Sequence, residues 1–167
     1  MSSLIHLLLI DEDSYPTTLA DDDDESKYQQ LLEITQNEAI HWQSIEINLR
    51  GFEPALQLWD AIAGNSRLLL IASFNFYPHK LLRPDADISG SFGFFPADMV
   101  KDLYAIMEEE YNFDISNLEG QQIIAEIEKD GDDEVNPEAY ELVRDKYFVT
   151  FRDAAEQGKS IVVLIEQ

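Results

Sequence analysis

Apolar positions fall along this chain in two periods. Leu4 to Ile10 is a continuous apolar run closed by Asp11-Glu12-Asp13, and its length fits a buried strand better than a helix. Arg67 to Ser73 (RLLLIAS) and the β-branched run Ser160 to Glu166 (SIVVLIE) have the same character. Elsewhere the period lengthens to three or four. Leu58, Trp59 and Ile62 share a face in a segment that opens at Glu53-Pro54 and closes at Gly64, so proline in the first turn and glycine at the C-terminal cap delimit a helix. Pro96 opens a second, FPADMVKDLYAIMEEEY, with Met99, Val100, Leu103, Ile106 and Met107 on one face and acidic residues on the other. Ile123, Ile124 and Ile127 mark a shorter helix. Pro137 starts a long one, in which Tyr140, Val143, Tyr147, Phe151 and Ala154 recur until Gly158.

Three stretches lack a single period. Residues 42–49 alternate Trp42, Ser44 and Glu46 against Gln43, Ile45, Ile47 and Leu49, as a half-buried strand does, yet Ala39-Ile40-His41-Trp42 equally begins a helix. Residues 11–25 include Asp21-Asp22-Asp23-Asp24-Glu25, a like-charge block expected to form a mobile loop that ends as the start of a helix near Ser26 to Ile34. Residues 75–95 are punctuated by Pro78, Pro84, Gly90 and Gly93 and are expected to be a long irregular segment, a length often associated with function. With no internal repeat, the expectation is an α+β fold: one compact domain over 1–167, with a small mixed sheet of about four strands against three or four helices.

Composition adds a sign to this picture. The 167 residues are 45% hydrophobic and include 9 Phe, 7 Tyr and 2 Trp, enough apolar area for one core. Against 11 Lys and Arg stand 34 Asp and Glu, a net charge of −23. That field disfavours nucleic acid and anionic lipid and speeds encounter with basic protein surfaces. The absence of Cys excludes a disulfide framework, a thiolate zinc site and a cysteine nucleophile. The apolar N-terminal stretch has no basic flank and no small-residue cleavage site, and no run approaches a membrane span, so a cytoplasmic protein is expected.

Residues able to carry chemistry form no recognisable set. Glu126, Glu128, Asp130 and Gly131 match the start of an EF-hand loop, but its twelfth place falls on Pro137, which has no carboxylate. His6, His41 and His79 show neither HxH nor HxxxH spacing, and Ser89-Gly90-Ser91-Phe92-Gly93 is neither a nucleophile elbow nor a phosphate loop. No catalytic residue, metal ligand or cofactor is therefore expected. The unusual local feature is aromatic density, Phe74, Phe76 and Tyr77, then Phe92, Phe94 and Phe95. These either pack into the core beneath the long loop or line a groove flanked by acid that receives a basic partner. On the second reading the partner-binding residues are Asp85, Asp87, Phe92, Phe94, Glu108, Glu109 and Glu110.

The stretch Gly90-Ser-Phe-Gly-Phe-Phe-Pro96-Ala-Asp-Met-Val100-Lys-Asp-Leu103 resembles the loop and helix of the YfbM-like bacterial proteins, a family of unknown function. So does Tyr147 to Leu164, a helix with an Ala-Ala-x-x-Gly ending that runs into a final strand, and, more loosely, the Trp59 helix. The acidic stretch 11–25 departs from the pattern. The resemblance implies a compact α+β domain and brings no catalytic residues. Small acidic domains of this kind resemble immunity proteins that occlude a toxin's active site. The functional expectation is thus a non-enzymatic immunity protein, monomeric or weakly dimeric, that binds a basic toxin domain and neither nucleic acid nor membrane. The alternatives are a small carboxylate-based hydrolase or metal-dependent enzyme, and a housekeeping domain with no dedicated partner.

Overall fold

Side chains of β1 (Ser2–Ile10) alternate between two faces of a sheet, and each face carries its own core. Ile5, Leu7 and Leu9 belong to one cluster, Leu8 and Ile10 to the other. The computed structural model describes residues 2–16, 24–64, 90–131 and 134–166. Within them β1 lies between β2 (Ile40–Asn48) and β4 (Ser160–Glu166), and β3 (Gly90–Phe95) pairs with the far side of β4. All three pairings are antiparallel, in the order β2-β1-β4-β3. The helices are α1 (Asp24–Glu38), α2 (Leu49–Ile62), α3 (Ala97–Glu110), α4 (Leu118–Asp130) and α5 (Pro137–Gln157). The result is an α+β domain. Among its described residues no helix is long and apolar enough to cross a membrane.

The larger core joins Ile5, Leu7, Leu9, Ile161, Val163 and Ile165 to α2, α3 and α5. Its centre is α5, where Tyr140, Val143, Tyr147, Phe151 and Ala154 are buried at the spacing read from the sequence. Asn136 caps that helix by accepting from the N–H groups of Glu138 and Ala139, and Gly158 ends it at φ 67°, which favours glycine. The smaller core lies under α1. Tyr28 and Leu31 cover Leu8, Ile10, Phe92, Phe94, Val162 and Leu164, with Tyr15 inserted from the turn after β1.

Tyr147 is fully buried, and its hydroxyl has no hydrogen-bond partner among the described residues; burial pushes its pKa well above the ordinary phenol value. Tyr147→Phe removes a desolvated polar atom at constant shape. It should leave stability unchanged or raise it by about 1 kcal/mol in a thermal melt, whereas a clear loss would reveal an acceptor for that hydroxyl.

Several sequence expectations change. Helix α2 starts at Leu49, so Pro54 lies inside it, buried, where its ring removes the hydrogen bond that an N–H would make to residue 50. Residues 90–95, expected to end an irregular loop, form β3: Phe92, Gly93 and Phe94 pair with Leu164, Val163 and Val162. The glycines that read as loop punctuation are strand positions here. Of the segment 42–49, residues 42–48 belong to β2 while Leu49 opens α2, and the broken alternation of the strand has a physical cause. Leu7 pairs with Gln43 but Leu8 pairs with His41, a β-bulge that leaves Trp42 extra. Gln43 and Trp42 consequently both reach α5, accepting from Lys146 at 3.0 Å and donating to Asp153 at 2.9 Å respectively.

Of the acidic stretch after β1, residues 17–23 lie outside the described residues. Asp11 pairs with Lys159 at 2.7 Å, Glu12–Ser14 form a single 3-10 turn, and α1 begins at Asp24. The expected strand Arg67 to Ser73, and residues 75–89, lie outside the described residues.

Candidate protein-binding face

Asp85 and Asp87 lie outside the described residues. Glu108, Glu109 and Glu110 form the last turn of α3, the first two exposed and the third half-buried. Three carboxylates at the negative end of a helix dipole, with no basic residue in that turn, oppose the local stability of the helix. Glu108 accepts from the Tyr104 hydroxyl at 2.8 Å, a bond that holds the Tyr104 pKa up. The aromatic half of the expected patch is absent from this surface. Phe92 is 3% and Phe94 7% exposed, which corrects their assignment as contact residues. Strand period puts both on the face covered by α1, where Tyr15 stacks on Phe94 at 4.1 Å and Tyr28 lies 5.5 Å from Phe92.

Acid and apolar surface do meet elsewhere. A cleft of about 570 Å³ opens between α2 and α4. Half-buried Ile123 and Ile127, four residues apart, lie in it with Ala61 of α2, while the carboxylates of Glu119, Glu126 and Asp130 also line it. None of its described lining residues is basic. Asn117 starts α4 by accepting from the Gly120 N–H at 2.8 Å, and Gly120 is pressed against the backbone of Ile115, which fixes how the helix leaves its preceding turn. The signal for this cleft was present as the interleaving of Glu119, Glu126 and Asp130 with Ile123 and Ile127. It was indistinguishable from an ordinary amphipathic helix until α2 was known to lie beside it.

The fold also unites residues far apart in sequence on the α1 side of the sheet. His6 on β1 faces His41 and Ser44 on β2 and Glu166 on β4. Spacing concealed this group because three strands and a bulge assemble it. Among the described residues no three His, Cys, Asp or Glu side chains together form a metal-holding group. The segment that resembled an EF-hand is helical through Asp130, and Glu128 there accepts from the Val135 N–H at 3.1 Å.

No family model matches the chain, and no curated protein matches it. Among solved structures, the protein of unknown function YfbM from Escherichia coli matches over 99% of each chain, with a TM-score of 0.52 and 14% sequence identity. The chain has the YfbM fold. The motif resemblance was confined to the Trp59 helix and residues 90–164, whereas the match in fold covers β1, α1 and β2 as well. At this identity the likeness to YfbM is one of fold and transfers no site residue.

Proposed function

We propose that this chain is a non-enzymatic, acidic binding protein of the bacterial cytoplasm whose partner is a basic protein surface, and that it serves as an immunity protein neutralising a cognate toxin by direct contact. The observation that carries this reading is the α2–α4 cleft, where Ile123 and Ile127 offer apolar area beside Glu119, Glu126 and Asp130. Apolar anchors supply affinity and complementary charge supplies encounter rate, so the cleft suits a basic amphipathic segment. The net charge of −23 extends the same bias over the molecule. Glu108, Glu109 and Glu110, set against the dipole of α3, form a second acidic surface at a cost to the helix. Toxins that act on nucleic acids or nucleotides present basic substrate clefts, which such a surface can block.

Genome context and, where a toxin gene lies beside this one, coexpression with that toxin test the reading. The chain should restore growth and form a salt-sensitive complex with the toxin. Glu119→Lys combined with Glu126→Lys, both at exposed positions, should keep the circular dichroism of the wild type and weaken the complex on the order of a hundredfold. A metabolic neighbourhood with no toxin gene, or full protection by the charge-reversed variant, would sink the proposal.

A further inference from the structure

Two imidazole nitrogens face each other on the α1 side of the sheet, and we propose that His6 and His41 bind a divalent transition-metal ion of the zinc type, with water completing its shell. Nδ1 of His6 and Nε2 of His41 lie 3.3 Å apart. Metal–imidazole bonds of about 2.0–2.1 Å drawn to atoms at that separation enclose roughly 107°, close to the tetrahedral angle. The ring centres are 5.4 Å apart with planes at 70°, which leaves these nitrogens on the facing edges.

Protonation is set by a neighbour. Glu166 Oε2 lies 3.0 Å from His6 Nε2, and a carboxylate can only accept, so Nε2 carries the proton and Nδ1 presents its lone pair toward His41. A carboxylate behind a ligating imidazole is the support that fixes ring orientation and raises ligand basicity in zinc sites. Ser44 Oγ lies 2.7 Å from His41 Nε2 and 3.3 Å from His6 Nδ1, a third polar atom beside the same point. Without metal the hydroxyl bridges the two rings. With metal it is placed to hold one of the waters that two imidazoles leave room for.

The bulge at Leu7/Leu8 is what makes the pair possible. Ser44 lies directly across from His6, and in an unbroken strand residue 41 would face the opposite side; the extra residue Trp42 turns His41 back onto the face of His6. Glu46 and Glu166 pair with Leu4 from its two sides, on the same face, and add negative potential. His41 is exposed, so an ion reaches the pair from solvent. Imidazole nitrogen selects zinc, cobalt, nickel or copper over calcium and magnesium, which prefer all-oxygen shells. The site lies on the opposite face of the sheet from α2 and α4, so its test is independent of partner binding.

The full chain, stripped with chelator and then freed of it, is titrated with Zn²⁺ by calorimetry and with Co²⁺ by visible absorption. One equivalent should bind and Co²⁺ should develop the visible band of a four-coordinate site of two imidazole nitrogens and water, with excess Ca²⁺ leaving both unchanged. His41→Ala, at an exposed position, should fold normally and lose at least about tenfold in affinity, and His6→Ala the same; Glu166→Gln should lose about 10- to 100-fold. Binding that survives both histidine variants, or that Ca²⁺ displaces, would place the ion on the acidic loops and overturn the assignment. Absence of stoichiometric binding overturns it equally.

Discussion

Phe94→Ala should lower stability by about 3–5 kcal/mol, and the double variant with Phe92→Ala should be largely unfolded at moderate temperature. Phe94 is 7% exposed, lies flat against Tyr15 at 4.1 Å with the rings within 3° of parallel, and pairs across the sheet with Val162. Truncation removes transfer free energy, leaves a cavity beside Val162, and takes away the ring on which Tyr15 stacks. A circular dichroism melt checks this. A soluble Phe94→Ala with an unchanged midpoint would show that α1 and Tyr15 do not cover β3 in solution, and would return the aromatic pair to the list of contact residues. Glu108→Gln, Glu109→Gln and Glu110→Gln form the opposite control. They remove charges that oppose the dipole of α3, so stability should hold or rise slightly while partner affinity falls.

Gly120→Ala should be destabilising by about 2 kcal/mol or more, although alanine in place of glycine ordinarily stabilises a helix by about 1 kcal/mol. A Cβ at position 120 would lie 2.4 Å from the Ile115 carbonyl oxygen and 2.6 Å from its Cα. Both are backbone atoms, held by the turn at Asp114–Asn117 that Asp114 and Asn117 themselves brace through bonds to Ser116 and Gly120. The clash is therefore relieved only by moving the start of α4. Since α4 forms one wall of the acidic cleft, the same variant should also weaken partner binding beyond what its stability loss explains. Denaturant unfolding of Gly120→Ala beside Gly131→Ala separates this from a generic glycine effect, because among the described residues the Cβ at 131 meets the Ile127 oxygen alone, at 3.3 Å. Equal effects at the two sites would refute the close-approach explanation.

What the sequence made legible was whatever depended on local period. The helical spacing from Tyr140 to Ala154, with Pro137 and Gly158 at its ends, and the apolar runs of β1 and β4 appear in the structure as expected. Local period failed where tertiary pairing overrode it. Gly90 and Gly93 suggested a loop because glycine has no packing of its own, but β4 supplies a partner for each. Residues 40–48 were ambiguous because the bulge at Trp42 breaks the alternation that marks a strand. The candidate contacts divided in the same way. The acids of α3 were visible as one helical turn, whereas the burial of Phe92 and Phe94 depended on α1, whose position no spacing within β3 encodes. The cleft and the histidine pair each need two or more distant elements, α2 with α4 and β1 with β2 and β4, so neither was visible in any single stretch.

The order β2-β1-β4-β3 also bears on how the molecule reaches its native state. Leu4 pairs with Glu166, so one edge of β1 stays open until nearly all of the other described residues have been synthesised. Meanwhile Ile5, Leu7 and Leu9 have their β2 neighbours but neither β4 nor the long helix that covers them. Pairings of such long sequence separation close slowly and expose apolar edges to other chains. The abundance of carboxylates then has a role before any partner arrives: mutual repulsion keeps nascent copies apart while the central strand waits for its last neighbour.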